Sequence, residues 1–554
     1  MIISVVPLVR LPVGVGPFSY TASEDQEIVV GSLVTIPFRS RTKLGIVVDC
    51  TTGTAPTDKP LQPITTTLSP IPLVSEGWCA SLLRLATVYH VNPGTMAISM
   101  LPSIGPRMVK AATLPPLAHA HAAHGTVALR HTIVDRGADV DEALIAQVRA
   151  FPESTCVIIC PESSTVDRII AQCTAAFPGK NIRAYTRAGS AKDVKAIWHR
   201  VRVAAPDIIV GTRAAALLPF APETQVLVVH PQDDSHTQWD GQPHTTTLDV
   251  LMIRARSENL RVTTFAHTAT TEQLLEKEAW TRAWNPEPLT FESIDNAQLV
   301  RARLYHAIPD PVRDALAQAT SEHPAVILVN RTDASVVLRC AECETIIASR
   351  TATECPQCHG TTLHSRGMSV EYLARMAAEA FPAFHTGVFT SETTDVPPDA
   401  QIIVATDSIL YHSVLARASI VWAPSADARF GRLWYRTVED ALYYFRELAF
   451  RAPTARLLLS TWKAEHPLWG ALRDTDALRR FFAHELQSRK KHQYPPYIRL
   501  IRVSPGPLPK QQKSAITSTT RLVRLPMATW IDELCALTPQ LAREDRVEPN
   551  PLSP

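Results

Sequence analysis

Glycine is scarce in this chain of 554 residues, at 20, against 44 prolines. Phosphate-binding loops use glycine so that the backbone can approach an anion closely. A glycine-poor chain therefore starts with lowered odds of hydrolysing nucleotides. Long apolar runs are also missing. None approaches the ~20 residues of a membrane helix, and the start, Met1-Ile2-Ile3-Ser4, lacks the basic flank of a signal peptide. No surplus of charge exists either. The formal net charge is +2, so any nucleic-acid surface must be a local basic patch. What is present is apolar material, 45% of residues, over a length that allows roughly three to five domains.

Four of the ten cysteines form two tight pairs, Cys340-Ala341-Glu342-Cys343 and Cys355-Pro356-Gln357-Cys358, with 11 residues between them. Two C-x2-C knuckles at this separation suit one tetrahedral zinc held by four thiolates. Such a site is closed and predicts structure rather than chemistry. The other six (Cys50, Cys79, Cys156, Cys160, Cys173, Cys535) have no paired spacing and read as buried thiols. That usage fits a reducing cytoplasm. None of the 19 histidines is assigned to a metal.

Residues 1–50 read as strands, with Ile28–Phe38 and Leu44–Val48 β-branched and bounded by turn residues. A helix is expected over Leu82–Tyr89, and residues 103–125, rich in Pro, Ala and His, read as a linker. From 126 to 290, strands at Cys156–Cys160, Ile208–Val210, Val226–Val229 and Val262–Phe265 alternate with helices at Val166–Ala176 and Thr247–Ser257. The pattern restarts after 291, with strands at Ala325–Val329, Gln401–Val404, Ile420–Trp422 and Arg456–Leu459 and a helix at Met368–Ala380. Strand–helix alternation of this kind predicts two α/β sheets in tandem, the second carrying the zinc segment.

Pro17-Phe18-Ser19-Tyr20 near the start, Gly211-Thr212-Arg213 in the middle and Tyr494-Pro495-Pro496-Tyr497 near the end together resemble the PriA family of replication-restart helicases, also called primosomal protein N-prime. Pro17-Phe18-Ser19-Tyr20 and Val34-Thr35-Ile36-Pro37-Phe38 are similar to that family's opening β-domain, which captures the 3′ end of a nascent strand. Gly211-Thr212-Arg213 resembles its first-lobe turn, and Val329-Asn330-Arg331 ahead of Cys340 resembles the strand entering its zinc module. Thr461-Trp462-Lys463-Ala464-Glu465-His466-Pro467, and Glu485 through Tyr494-Pro495-Pro496-Tyr497, match its C-terminal region. The resemblance implies two RecA-like helicase lobes with a zinc-ribbon insertion in the second, preceded by a small β-rich DNA-binding domain. The implied division is 1–102 for that domain, 103–125 for a linker without the family's winged helix, 126–290 for lobe one and 291–470 for lobe two. The zinc module lies at about 337–366, and a shortened C-terminal domain covers 471–554.

Departures from the family are specific. A phosphate loop needs a lysine to reach the β- and γ-phosphates. The only Gly-Lys pair, Gly179-Lys180, has Thr174 where the first glycine belongs and Asn181 after the lysine. The family's own loop position reads Val134-Asp135-Arg136-Gly137-Ala138-Asp139, without lysine. His230-Pro231-Gln232-Asp233 replaces an Asp-Glu-Glu-His, removing carboxylates that would anchor magnesium and activate water. Ala405-Thr406-Asp407 replaces a Gly-Thr-Gln, and Phe450–Thr454 keeps one of two arginines. The expectation is a helicase fold that is not an enzyme, with no catalytic or cofactor-binding residue assigned. The zinc module keeps the family's outer cysteine pairs and lacks the inner ones, so one zinc ion is expected on Cys340, Cys343, Cys355 and Cys358.

DNA contacts are expected from Phe18, which matches the family's pocket for a terminal base, and from Arg39, Arg41 and Lys43 in a basic loop beside it. Phe18 reads alternatively as a core aromatic. Ser19 stands where the family has the aspartate that binds the 3′-hydroxyl, and Arg39 where it has glycine. Arg213 and Trp239 are further candidates, Trp239 lying where the family has a loop coupling DNA to ATP. The stretch Arg479–Arg502 mixes cations, among them Arg489, Lys490 and Lys491, with aromatics. It reads either as a phosphate- and base-binding surface or as a solvated helix face. The implied protein is cytoplasmic and nucleoid-associated. It recognises forked or single-stranded DNA and works with primosome and helicase-loading proteins, with single-stranded-DNA-binding protein a further candidate and no membrane. The alternatives are an active ATP-dependent 3′-to-5′ helicase and a non-catalytic zinc scaffold.

Overall fold

Short runs of wholly buried β-branched residues, rather than alternating ones, build the two large sheets of this protein. The computed structural model describes the chain except for residues 24–26, 52–59, 69–70, 102–116, 118–127, 135–139, 187–188, 239–241, 277–279, 281–285, 303–305, 330–336, 344, 349–351, 367–368, 391, 394, 431–433, 505–520, 544 and 550–554. It divides into two compact units, residues 1–284 with 486–554, and residues 285–485.

The first unit opens with an antiparallel sheet of β1 (Ile2–Pro7), β2 (Phe18–Thr21), β3 (Leu33–Phe38), β4 (Arg41–Thr51) and β5 (Thr66–Thr67), in the order β2-β1-β4-β3-β5. Ile3, Val5, Val34, Ile36 and Val47 fill one face with Tyr20. β3 starts at Leu33, later than the expected Ile28. Gly31 turns the chain first, at φ 88°, where a Cβ would lie 1.9 Å from the Val74 carbonyl oxygen. The helix Glu76–Val88 starts earlier than the expected Leu82, because Ser75 caps it by accepting the Trp78 N–H. Its Trp78, Leu82 and Leu85 share a core with Val6, Leu33 and Ile46 of the sheet.

A parallel sheet follows: β6 (Ala128–Ile133), β7 (Cys156–Ile159), β8 (Ile182–Tyr185), β9 (Ile208–Gly211), β10 (Gln225–Val229) and β11 (Arg261–Ala266), in the order β6-β11-β10-β7-β9-β8. Every position of β7, β9 and β10 is buried, as a sheet covered on both faces requires. The helices Ser163–Ala176 and Thr247–Glu258 match their expected spans to within a turn.

The second unit repeats the plan. β12 (Glu292–Asp295) and β13 (Ala325–Leu328) come first. A small antiparallel sheet then interrupts, β14 (Val337–Cys340), β15 (Ile346–Ala348) and β16 (Leu363–Arg366), in the order β15-β14-β16. β17 (Thr386–Phe389), β18 (Ile402–Ala405), β19 (Ile420–Ala423) and β20 (Arg456–Thr461) complete a parallel sheet ordered β12-β20-β19-β13-β18-β17. Two parallel α/β sheets with a cysteine-bearing insertion in the second are thus in place.

After the helix Thr475–His492 the chain forms β21 (Ile498–Ser504), β22 (Arg521–Pro526) and β23 (Arg546–Pro549), an antiparallel sheet ordered β22-β21-β23. Ile501, Val503, Trp530 and Leu534 join the core of the helix Glu76–Val88, so this last segment folds onto the first unit. Among the described residues, no helix is long and apolar enough to cross a membrane.

Candidate metal centre and nucleic-acid interface

Cys340 ends β14 and Cys343 lies in the turn after it, while Cys355 and Cys358 occupy a second turn before β16. The four Sγ atoms all lie within 4.8 Å of one another. Cys340 and Cys358 are 3.4 Å apart, as are Cys343 and Cys355. A disulfide would need about 2.0 Å. Zinc–sulfur bonds of about 2.3 Å place the corners of a tetrahedron ~3.8 Å apart, close to what is seen. Each knuckle also turns a backbone N–H onto its first sulfur, Glu342 to Cys340 and Gln357 to Cys355, both at 3.4 Å. Such bonds stabilise thiolate charge. Thr345 hydrogen bonds pull Cys343 down to about 6. On Cys358 the Gly360 backbone pulls downward, but Cys343 and Cys340 push it up to about 12. Four thiols this close cannot all ionise without a cation among them. The set fits a four-thiolate zinc centre.

At the N-terminal sheet, Phe18 on β2 meets Phe38 at the end of β3, ring centroids 5.3 Å apart and edge to face. Gly16 makes room for this pair, since a Cβ there would stand 3.0 Å from the Phe18 ring. Arg39 follows Phe38 in the tight connection to β4 and adopts φ 52°, the left-handed region where glycine is ordinary. Its guanidinium carbon sits 5.8 Å from the Phe38 ring. Arg39 and Arg41 are exposed and Lys43 is half-buried. The structure therefore gathers Phe18, Arg39 and Arg41 at one end of the sheet, with Phe18 half-buried and packed against the sheet's core.

The remaining candidates scatter. Arg213 opens a 3-10 turn after β9 and donates to the Ser235 carbonyl at 3.4 Å. Trp239 and the loop Asp135–Asp139 lie outside the described residues. Lys180 bonds the Pro152 and Pro206 carbonyls in the turn before β8, a structural use of the Gly-Lys pair. Arg489 needs correction as a DNA contact. It is 2% exposed and donates to Thr271 Oγ1 at 2.8 Å and to the Pro495 carbonyl at 3.4 Å. Arg499 is likewise buried, paired with Asp249, and Arg502 pairs with Glu548. Lys490 and Lys491 stay exposed, Lys490 Nζ lying 6.0 Å from the Tyr497 ring. Arg451, the arginine kept in Phe450–Thr454, is held by Glu447 at 2.8 Å and lies over the Tyr411 ring. In the second sheet, Asp407 takes up Arg429 and the Tyr444 hydroxyl.

Residues 8–102 match the family model of the PriA 3′DNA-binding domain (3′BD). The chain is 20% identical over 410 residues to the replication restart protein PriA of Chlamydia pneumoniae, covering 64% of this chain and 54% of that protein. It is 23% identical over 358 residues to PriA of Chlamydia muridarum, covering 55% and 47%. PriA of Synechocystis is 21% identical over 409 residues, covering 62% and 48%. Residues 8–102 are thus similar to the PriA 3′DNA-binding domain, and the longer matches are to PriA proteins at 20–23% identity. It spans about half the length of the curated relatives it matches. Among solved structures, RecG bound to a three-way DNA junction covers 65% of this chain and 42% of its own at 11% identity and TM-score 0.33. Mss116p bound to single-stranded RNA and AMP-PNP covers 76% of each at 11% identity and TM-score 0.37. The E. coli DExH-box NTPase HrpB covers 61% of this chain and 40% of its own at TM-score 0.33. The expectation of a non-enzyme is corrected here. The solved structures it resembles are helicases and NTPases, and altered motif residues do not establish inactivity.

Proposed function

We propose that this PriA-family chain is a DNA-binding protein of replication restart that recognises forked or single-stranded DNA. The observation that carries this reading is the end of the N-terminal sheet, where a half-buried Phe18 stands with exposed Arg39 and Arg41 inside the segment matching the 3′DNA-binding domain. Cations there neutralise phosphates and release counterions, and an aromatic ring accepts an unpaired base. In this reading one zinc ion sits on Cys340, Cys343, Cys355 and Cys358 and clips the small sheet together. The partners are primosome and helicase-loading proteins, with single-stranded-DNA-binding protein at the same forks, and the setting is the cytoplasm, on the nucleoid.

Forked, 3′-tailed and blunt duplex DNA, titrated at several salt concentrations, test the proposal. Fork and 3′-tailed DNA are expected to bind more tightly than the blunt duplex, with affinity falling as salt rises. Equal affinity for all three sinks the restart reading.

A further inference from the structure

Among the described residues, Trp462 is the single exposed Phe, Tyr or Trp; it is 50% exposed. It stands just past the C-terminal end of β20, and its backbone is tightly held. Asp427 accepts the Thr461 hydroxyl at 2.6 Å and the Trp462 N–H at 2.5 Å. The Lys463 N–H donates to Thr461 Oγ1 at 2.9 Å, and Trp469 Nε1 donates to the Lys463 carbonyl at 2.9 Å. His466 caps the following helix by accepting the Leu468 N–H, and its ring packs 4.6 Å from Phe430. Lys463 Nζ lies 5.7 Å from that same Phe430 ring. A fixed backbone thus leaves about half of one large indole in solvent beside a cation.

We infer that Trp462 is a stacking platform for an unpaired base of single-stranded DNA, with Lys463 facing the neighbouring phosphate. The inference rests on the DNA-binding reading above. A rigid aromatic loses little conformational entropy on binding, so its contact area converts efficiently into affinity. A protein partner would need a contiguous apolar patch. The other exposed large hydrophobic residues, such as Val29, Ile98 and Leu522, belong to other elements, and Trp462 is flanked by exposed Lys463 and Glu465. One ring suits one base. Because Glu465 offsets Lys463 in the same turn, stacking rather than charge supplies most of the energy.

The test is fluorescence anisotropy of labelled oligo-dT with the full chain. Trp462→Ala is expected to weaken binding about tenfold, with an unchanged salt dependence, and Trp462→Phe to recover most of the loss. An oligonucleotide of abasic sites should bind wild type and Trp462→Ala alike, and blunt duplex should show no difference between them. Equal affinity of wild type and Trp462→Ala for oligo-dT overturns the platform while leaving the DNA-binding reading intact. A wild-type chain that binds no DNA at all overturns that reading, and the platform with it.

Discussion

The N-terminal hairpin and the segment after Arg479 carry similar clusters of cations and aromatics, yet the fold uses them in opposite ways. In the hairpin, Arg39 and Arg41 stay in solvent beside Phe18 and Phe38. In the later segment, Arg489, Arg499 and Arg502 turn inward to Thr271, Asp249 and Glu548. The lesson is that a count of positive residues is not a count of positive surface. A guanidinium has five donors, so an arginine can bind several segments internally as readily as it can meet a phosphate.

Metal removal is the largest perturbation, and it should leave this contrast untouched. Structural zinc contributes on the order of 10 kcal/mol to small modules. Chelation should therefore release one zinc per chain and free four reactive thiols, with amide exchange rising sharply in β14–β16. The N-terminal hairpin should keep its exchange pattern. Thiol titration that is unchanged by chelator would refute the site.

Next in size is Arg489→Met, which removes two buried hydrogen bonds and leaves Thr271 and Pro495 acceptors without this donor. Losing a buried hydrogen bond to a charged donor costs about 1–3 kcal/mol, so a loss of about 2–4 kcal/mol is expected in denaturant titration. A variant of full stability with impaired DNA binding would break the contrast, since Arg489 would then be acting at the surface. Replacing Arg39 and Arg41 together by alanine should do the reverse. Stability should shift by no more than ~0.5 kcal/mol, while the slope of log affinity against log salt drops by about 2. Lys490→Ala with Lys491→Ala, at exposed positions of the buried-arginine segment, decides whether any of that segment reaches DNA. A slope unchanged from wild type assigns its cations to the fold.

The smallest effect concerns Arg456, an exposed arginine that is nonetheless paired. Its bidentate bond to Glu292 joins β20 to β12 and holds the Glu292 carboxyl below its usual value. A lowered carboxylate pKa adds stability that is fully present above about pH 4.3 and disappears as pH falls through the folded-state value. Both side chains are about half exposed, so ~0.5 kcal/mol is the expected size. Glu292→Gln should flatten the acid limb of the stability curve by that amount and leave stability above pH 6 nearly parallel to wild type.

Much of the frame was legible in the residues. Buried runs such as Cys156–Ile159 and Ile402–Ala405 are read as strands because a sheet covered on both faces tolerates no alternation. β8 carries no such signal, since its edge position leaves Arg183 and Ala184 exposed and breaks the apolar run. The extra turns of the helix Glu76–Val88 depend on the Ser75 cap, a weak signal ahead of a glycine and a tryptophan. Altered motif residues do not by themselves decide the enzyme class, because the frame that carries them is unchanged.

For the candidate site, local spacing determined the four cysteines by itself, because each C-x2-C turn is built within a few residues and needs only β14–β16 to bring the two together. Local sequence also determined the strand–helix alternation, through hydrophobic period. Only the tertiary structure decided which cations face water, because that depends on acceptors far away in the chain: Thr271 for Arg489 and Asp249 for Arg499. It alone also decided that Trp462 is half exposed. Its backbone N–H is bonded to Asp427, 35 residues away in the chain, at the end of β20.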